Sequence, residues 1–221
     1  SRQNNRQKQP LVITESLFSM EGTTAPLKEI SKLCIKYDSK LLIDEAHALG
    51  VMGQEGKGES YGLKEPNSII SGTFGKAFGS GGAFLATDKI IGENLIQKCG
   101  AFRYTTALAP PLCASALAAL NLIESNPSWG SKLKKRSIDL RDRLSQIGWQ
   151  RPVGEGPIIS IILGSDELAM DYQKRLERQG LLTVAIRPPT VPEGKSRLRL
   201  VIRRNTPDQA FERLIEVLKN K

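Results

Sequence analysis

Three polar clusters follow short apolar runs in the first half of the chain, and each carries side chains that could do chemistry. The first contains Ser19, the second contains Asp44 and His47, and the third contains Thr73 and Lys76. Ligands in open α/β sheets bind beyond the carboxyl ends of the strands. We therefore expect these clusters to meet at one edge of a sheet.

Each cluster alone is ambiguous. An acid at a strand end is more often a helix cap or a surface group than a catalyst, and a single histidine is more often a satisfied core residue. The pair Gly75-Lys76 suggests a phosphate-binding P-loop, but Ile70 stands where that motif requires glycine and Ala77 where it requires serine or threonine. The glycine-rich string at 79–82 is not a dinucleotide fingerprint either.

Taken together, the clusters fit the chemistry of pyridoxal 5'-phosphate (PLP). A PLP site needs a lysine for a covalent imine, an acid beside the ring nitrogen, and donors for the ring oxygen and the phosphate. Lys76 is the candidate lysine. Asp44 follows the apolar run at 41–43, where a carboxylate is costly unless it is paired with a cation such as the protonated ring. His47 is expected to reach the ring oxygen and Thr73 the phosphate.

The strings at 42–47 (Leu-Ile-Asp-Glu-Ala-His) and 72–79 (Gly-Thr-Phe-Gly-Lys-Ala-Phe-Gly) resemble the α-oxoamine synthases, a family of fold-type I PLP enzymes within aminotransferase class I/II. The resemblance runs over nearly the whole chain. It implies that Lys76, Asp44 and His47 are catalytic. It also implies a set of residues that bind the cofactor: Ser19, Asp44, His47, Thr73, Lys76, Thr105 and Thr106.

Two further parts of the resemblance concern the substrate and the oligomer. Thr105 and Thr106 lie in a segment similar to the one whose hydroxyls reach the phosphate of the neighbouring subunit's cofactor, which implies a homodimer with shared active sites. Arg199 matches the arginine that grips the amino-acid carboxylate, a task suited to its forked geometry. The alternative for Arg199 is an outward-facing strand residue. Thr190 is expected to lie near the substrate.

Within the family, the stretch at 185–192 is similar to the members that join pimeloyl-CoA, or a pimeloyl-carrier protein, to L-alanine with decarboxylation in biotin biosynthesis. The alternatives are a 2-amino-3-ketobutyrate ligase, a serine palmitoyltransferase type of enzyme, or an inactive truncated remnant. Family members are longer, with a preceding segment that supplies an aromatic residue against the ring and part of the phosphate site. We therefore expect this chain to be a fragment or a truncated gene product that carries the lysine without a whole site.

The elements that must position these residues alternate between strands and helices. Short apolar runs predict strands at 11–14, 41–43, 68–70 and 83–86, and Pro26 opens a helical pattern. Such continuous runs indicate a mostly parallel sheet that is buried on both faces, with helices on both sides. Further helices are predicted at 89–98, 111–124 and 132–147.

The second half predicts a smaller α+β arrangement, with a joint at 126–130. Its predicted elements are a strand at 158–163, a helix at 166–178, strands at 182–186 and 197–202, and a helix at 207–219. The expected fold is therefore α/β, the second half of a fold-type I PLP-dependent transferase large domain at 1–127, followed by a small α+β domain at 128–221.

Composition restricts the other classes of function. The 221 residues carry a net charge of +9, but the basic residues are spread over helix faces among acids, and aromatics make up only 5% of the chain. This disfavours nucleic-acid binding. One histidine and three separated cysteines offer no metal site. No apolar run approaches the roughly 18 residues of a membrane span, and 1–10 does not resemble a signal peptide. A cytoplasmic enzyme is expected.

Overall fold

The computed structural model describes residues 9–63 and 68–219, which divide into two compact units. The first unit comprises the described chain up to Leu17 together with Thr24–Pro127. The second comprises Phe18–Thr23 and the described chain from Ser128 onward. Each unit has its own sheet.

The sheet of the first unit has four strands in the order β1-β2-β3-β4. They are β1 (Leu11–Glu15), β2 (Lys40–Asp44), β3 (Ser68–Thr73) and β4 (Ala83–Ala86). The pairs β1–β2 and β2–β3 are parallel, whereas β3–β4 is antiparallel. The predicted mostly parallel sheet is confirmed. The carboxyl ends of β2 and β3 lie at the same edge, since Asp44 pairs in register with Ser71.

The first unit also contains helices and a 3₁₀ turn. They are α1 (Leu27–Lys36), a 3₁₀ turn (Gln54–Gly56), α2 (Lys89–Lys98), α3 (Gly100–Arg103) and α4 (Pro110–Glu124). Of these, α1 and the 3₁₀ turn lie between strands, and the others follow β4. The α2 helix begins where the sequence predicts because Asp88 caps it: Oδ1 of Asp88 accepts a hydrogen bond from the backbone N–H of Ile91 at 2.9 Å.

The expectation that this sheet is buried on both faces is wrong for its two outer strands. Leu11 and Ile13 of β1 are 51% and 66% exposed, and Leu85 of β4 is 43% exposed. By contrast, Leu41 and Ile43 of β2 are buried. An apolar strand sequence predicts that the side chains favour burial. It does not show whether other elements pack against both faces of that strand.

The second unit contains a three-stranded antiparallel sheet in the order β5-β7-β6 and three helices. The elements are α5 (Trp129–Gln146), β5 (Ile158–Gly164), α6 (Asp166–Arg178), β6 (Val184–Ile186), β7 (Ser196–Val201) and α7 (Asp208–Lys219). Leu140, Leu144, Ile159, Leu176 and Leu198 are fully buried and form the centre of its core.

The short segment Phe18–Thr23 packs on the sheet of the second unit. The Ser160 hydroxyl donates to the carbonyl oxygen of Met20 at 2.5 Å, and Nη1 of Arg197 lies 2.9 Å from Oε1 of Glu21. Gly22 has φ +73°, and a Cβ added there would lie 2.1 Å from the Ile158 carbonyl oxygen, so only glycine fits. Within the described residues, no helix is both long and apolar enough to cross a membrane.

Candidate functional site

Asp44 and Thr73 end two neighbouring parallel strands, β2 and β3, and each is partly exposed. Oδ1 of Asp44 accepts a hydrogen bond from the backbone N–H of Ala46 at 2.8 Å. This bond fixes the carboxyl group at the edge where ligands of open α/β sheets bind. The structure thus places these two predicted residues at the expected edge.

His47 lies on the single helical turn that follows Asp44. The Glu45 carbonyl oxygen accepts hydrogen bonds from the backbone N–H groups of Ala48 at 2.9 Å and Leu49 at 3.0 Å. Because the turn starts directly at the strand end, Asp44 and His47 lie on one continuous hydrogen-bonded stretch of backbone. The imidazole is partly buried.

Lys76 lies on the closed loop between β3 and β4, and it is exposed. The loop is held by the backbone N–H of Phe74, which donates to the Gly82 carbonyl at 2.9 Å, and by that of Ser80, which donates to the Phe74 carbonyl at 2.8 Å. The Thr73 hydroxyl donates to the Gly82 carbonyl at 3.2 Å and accepts from the Gly75 N–H at 3.1 Å. The lysine is therefore presented by a fixed loop.

This donor set fits a phosphorylated, cationic aromatic aldehyde such as PLP. It combines a carboxylate, an imidazole, a hydroxyl and an amine on two adjacent strand ends of the first unit. A Cβ added to the exposed Gly79 of this loop would meet no atom within 4 Å. Gly79 has φ +59°, which favours glycine at this position.

Ser19, Thr190 and Arg199 lie in the second unit. Nε of Arg199, in the middle strand β7, donates a hydrogen bond to the Ser19 carbonyl oxygen at 2.7 Å. The structure therefore brings Ser19 and Arg199 together, and Ser19 lies in a turn on this sheet instead of at a strand end. Thr190 is exposed, and its backbone N–H donates to the Arg187 carbonyl at 3.0 Å.

Thr105 and Thr106 lie in the irregular chain between α3 and α4, and their side chains are exposed. Among the described residues, no hydrogen bond joins them to Asp44 or Thr73. Their predicted role at a neighbouring subunit's cofactor stays a prediction.

Two charged residues that the sequence pattern does not single out are completely buried. They are Glu45, between Asp44 and Ala46, and Arg141 of α5. The sequence does hold one indication for Glu45. It directly follows the apolar strand β2, and Ser16 follows the neighbouring strand β1 in the same way. Across the described part of the chain, no group of three or more histidine, cysteine or acidic side chains could hold a metal ion.

Comparison with known proteins identifies related chains. The sequence profile of the family "Aminotransferase class I and II" matches residues 1–218. The 8-amino-7-oxononanoate synthase of Methylobacillus flagellatus is 38% identical over 213 residues, which cover 96% of this chain and 54% of that protein.

Two solved structures are also similar. Sphingomonas wittichii serine palmitoyltransferase superposes with a TM-score of 0.88 at 27% identity, covering 96% of this chain and 54% of that one. Francisella tularensis 8-amino-7-oxononanoate synthase gives a TM-score of 0.83 at 26% identity, covering 97% and 63%. These likenesses confirm the expected fold class. The chain spans about half the length of the curated relatives that it matches.

Proposed function

The chain belongs to the class I and II aminotransferase family, and from this we propose that it is part of a PLP-dependent acyltransferase, an 8-amino-7-oxononanoate synthase. The reaction condenses the pimeloyl group of a CoA or carrier-protein thioester with L-alanine and releases carbon dioxide. The observation that carries this proposal is the 38% identity over 213 residues to a curated synthase of that name.

The residues that would hold PLP are those of the first unit. Lys76 would bind it covalently, Asp44 would accept a hydrogen bond from the ring nitrogen, His47 would donate to the ring oxygen, and Thr73 would donate to the phosphate. When bound, PLP supplies an electron sink for the charge left on the α-carbon of the amino acid. To donate to the phosphate, the Thr73 hydroxyl must turn away from the Gly82 carbonyl oxygen, which it contacts at 3.2 Å, longer than a normal O–H···O hydrogen bond.

The chain's own residues then account for proton movement. The Lys76 amine is the base that removes the α-proton of L-alanine and later returns a proton to the product. Lys76 is exposed on the loop between β3 and β4. The Asp44 carboxylate would accept a hydrogen bond from the protonated ring nitrogen, and such a charge-assisted hydrogen bond is stronger than a neutral one.

The second unit would bind the substrates. The Nε bond to the Ser19 carbonyl fixes the plane of the Arg199 guanidinium, and the two Nη atoms form the fork that suits a carboxylate. Ser19 would contact the cofactor, and Thr190 would lie near the substrate. Thr105 and Thr106 would reach the phosphate of a second subunit's cofactor in a homodimer.

A cytoplasmic location is part of the same proposal. Cys34, Cys99 and Cys113 are all free thiols. Reduced cysteines are typical of cytosolic proteins.

A serine palmitoyltransferase type of activity is the second candidate. The superposition on that enzyme, with a TM-score of 0.88, favours it, although the identity there is only 27%. The two candidates differ in the amino acid and in the acyl chain.

The test offers the purified protein L-alanine with pimeloyl-CoA, and separately L-serine with palmitoyl-CoA. Free thiol and carbon dioxide release are measured, and the product mass is determined. Release with the first pair alone supports the proposal. Release with the second pair alone would support the serine palmitoyltransferase type of activity instead. Release with neither pair would support the alternative that the protein is an inactive truncated remnant.

A further inference from the structure

Glu45 is a completely buried carboxylate next to two proposed site residues, Asp44 and His47, which are partly exposed. Burying a carboxylate costs much free energy unless its oxygens receive hydrogen bonds. The groups that donate hydrogen bonds to this buried carboxylate therefore also hold the end of β2 in place.

Both carboxylate oxygens of Glu45 have donors. Oε2 accepts from the Ser16 hydroxyl at 2.7 Å and from the backbone N–H of Glu59 at 3.2 Å. Oε1 accepts from the backbone N–H of Ser60 at 2.6 Å. Two successive amide N–H groups thus cradle the carboxylate, an arrangement that stabilises an anion. No cation forms a salt bridge with it in the chain that the structure describes.

The loop that supplies these amides is shaped around the carboxylate. Gly58 has φ +90°, and a Cβ added there would lie 2.9 Å from the Glu45 carboxyl carbon and from Oε2. Alanine at this position would therefore displace either the loop or the carboxylate. The Ser16 end of the contact is equally fixed, because its backbone N–H donates to the Asp44 carbonyl at 2.9 Å.

The backbone of Glu45 anchors the same turn. Its N–H donates to the Ser71 carbonyl of β3 at 2.8 Å, and its carbonyl accepts from Ala48 and Leu49. Glu45 therefore links the end of β1, the end of β2, strand β3 and the loop at 58–60. The turn that carries Asp44 and His47 has Glu45 at its centre.

We propose that Glu45 is a positioning residue that fixes the Asp44 carboxyl and the His47 imidazole at the edge of the first sheet. The significance of that edge rests on the proposed function, whereas the positioning itself does not. Glu45 acts through its neighbours and does not touch the reacting atoms.

His47 is the single histidine of the chain, so its ring gives one titrating C2–H signal by NMR. The signal is measured against pH in the cofactor-free protein. Glu45→Gln removes the charge, and its amide group would face the donating N–H of Glu59. We expect the His47 midpoint to move away from the wild-type value, because the turn that carries the imidazole loses part of its anchor on Ser16 and the loop at 58–60.

Glu45→Asp separates position from charge, because it keeps the carboxylate but is too short to reach all three donors. We expect it to fail to restore the wild-type midpoint. Gly58→Ala and Ser16→Ala, which both retain the carboxylate, should also shift it. The matched control is Ser137→Ala in the second unit, which removes one buried hydrogen bond to the Leu133 carbonyl and should lower stability without moving the signal.

An unchanged His47 midpoint in Glu45→Gln and Glu45→Asp would overturn the proposal and leave Glu45 a purely stabilising residue. If neither variant folds, Ser16→Ala provides the test, and an unchanged His47 midpoint in that variant would likewise overturn the proposal. Because the titration requires neither PLP nor substrate, a failure of the proposed function would not produce this result. The two failures are therefore distinguishable.

Discussion

Nε of Arg199 donates a hydrogen bond to the backbone carbonyl of Ser19 at 2.7 Å, across 180 positions of sequence. Ser160 lies opposite Arg199 in the sheet, and its hydroxyl donates to the next carbonyl, that of Met20. Two cross-strand neighbours thus hold consecutive carbonyl groups of one short segment. The side chain proposed to grip the substrate carboxylate is also part of the support for that segment.

Arg199→Lys should raise KM for L-alanine by ~10-fold or more, because an ammonium group lacks the planar fork that binds a carboxylate at two points. Steady-state kinetics at varied alanine measure this. Arg178→Lys, at an exposed arginine of α6 in the same unit, is the matched control and should leave KM unchanged. A wild-type KM in Arg199→Lys would remove Arg199 from carboxylate binding.

Lys76→Ala should abolish covalent attachment of PLP and reduce turnover by far more than ~10-fold, because loss of a covalent catalyst has a large effect. Borohydride reduction followed by peptide mass spectrometry detects the attachment. Lys98→Ala, on the exposed end of α2, should retain it. Turnover within ~10-fold of wild type would mean that another residue does this work.

Asp44→Asn should impair catalysis more than cofactor retention. The new amide oxygen can still accept the Ala46 N–H hydrogen bond that Oδ1 makes at 2.8 Å, so the turn should persist. The lost charge no longer stabilises a protonated ring nitrogen. Exchange of the alanine α-proton in D₂O, followed by NMR, should slow strongly while PLP survives gel filtration. Exchange at the wild-type rate would show that Asp44 has another role.

The sequence predicts the elements best where periodicity and caps agree. The observed bounds of β4, α2 and α6 equal the predicted ones, and Asp88 and Ser165 cap the two helices. The first turn of α5 was missed because Trp129-Gly130-Ser131 follows an Asn-Pro pair and contains a glycine, a weak helix former.

The site is only partly predictable for a different reason. Asp44, His47, Thr73 and Lys76 could be found because local order along the chain places them after two adjacent strands. The contact of Arg199 with the Ser19 segment depends on tertiary packing, which no local pattern records. The burial of Glu45 could not be predicted, because glutamate is almost never fully buried and a charged side chain is expected at the protein surface.

The pH dependence of stability should include a contribution from Glu155 on the acid side. The Lys134 ammonium, hydrogen-bonded to Glu155, holds the pKa of that carboxyl below its usual 4.5. The stabilisation is therefore present above pH 4.5 and is lost as the pH falls through the lowered pKa. Both side chains are largely exposed, so Glu155→Gln should cost well under ~1 kcal/mol at pH 7 in low salt. At pH 2, urea unfolding should show no difference in free energy of unfolding between Glu155→Gln and the wild type. An equal loss at pH 7 and pH 2 would show that the ion pair with Lys134 is not its cause.

Arg141 should contribute the largest single polar stabilisation of the second unit. Its guanidinium donates to four carbonyl oxygens, those of Val153, Ser137, Gly156 and Ile158, at 3.2, 3.1, 2.9 and 2.7 Å. Arg141→Met removes all four hydrogen bonds, three of which are buried. We expect unfolding in urea to show a loss of ~3 kcal/mol or more. Arg151→Met is the control, since that arginine is 45% exposed and forms a salt bridge with Asp142, and it should cost less than ~1 kcal/mol.

The pH profile of this loss follows from the same burial. Burial, with repulsion from Arg151, lowers the pKa of Arg141 from 12.5 to about 10. When the pKa of a base is lower in the folded state, the folded protein binds that proton less tightly than the unfolded chain does. The contribution of Arg141 to the free energy of unfolding therefore rises only as the pH passes above about 10. Between pH 6 and 9 the guanidinium is charged in both states. The loss in Arg141→Met should therefore be constant over that range, and a loss that disappears by pH 9 would mean that the four carbonyls are not held by a charged guanidinium.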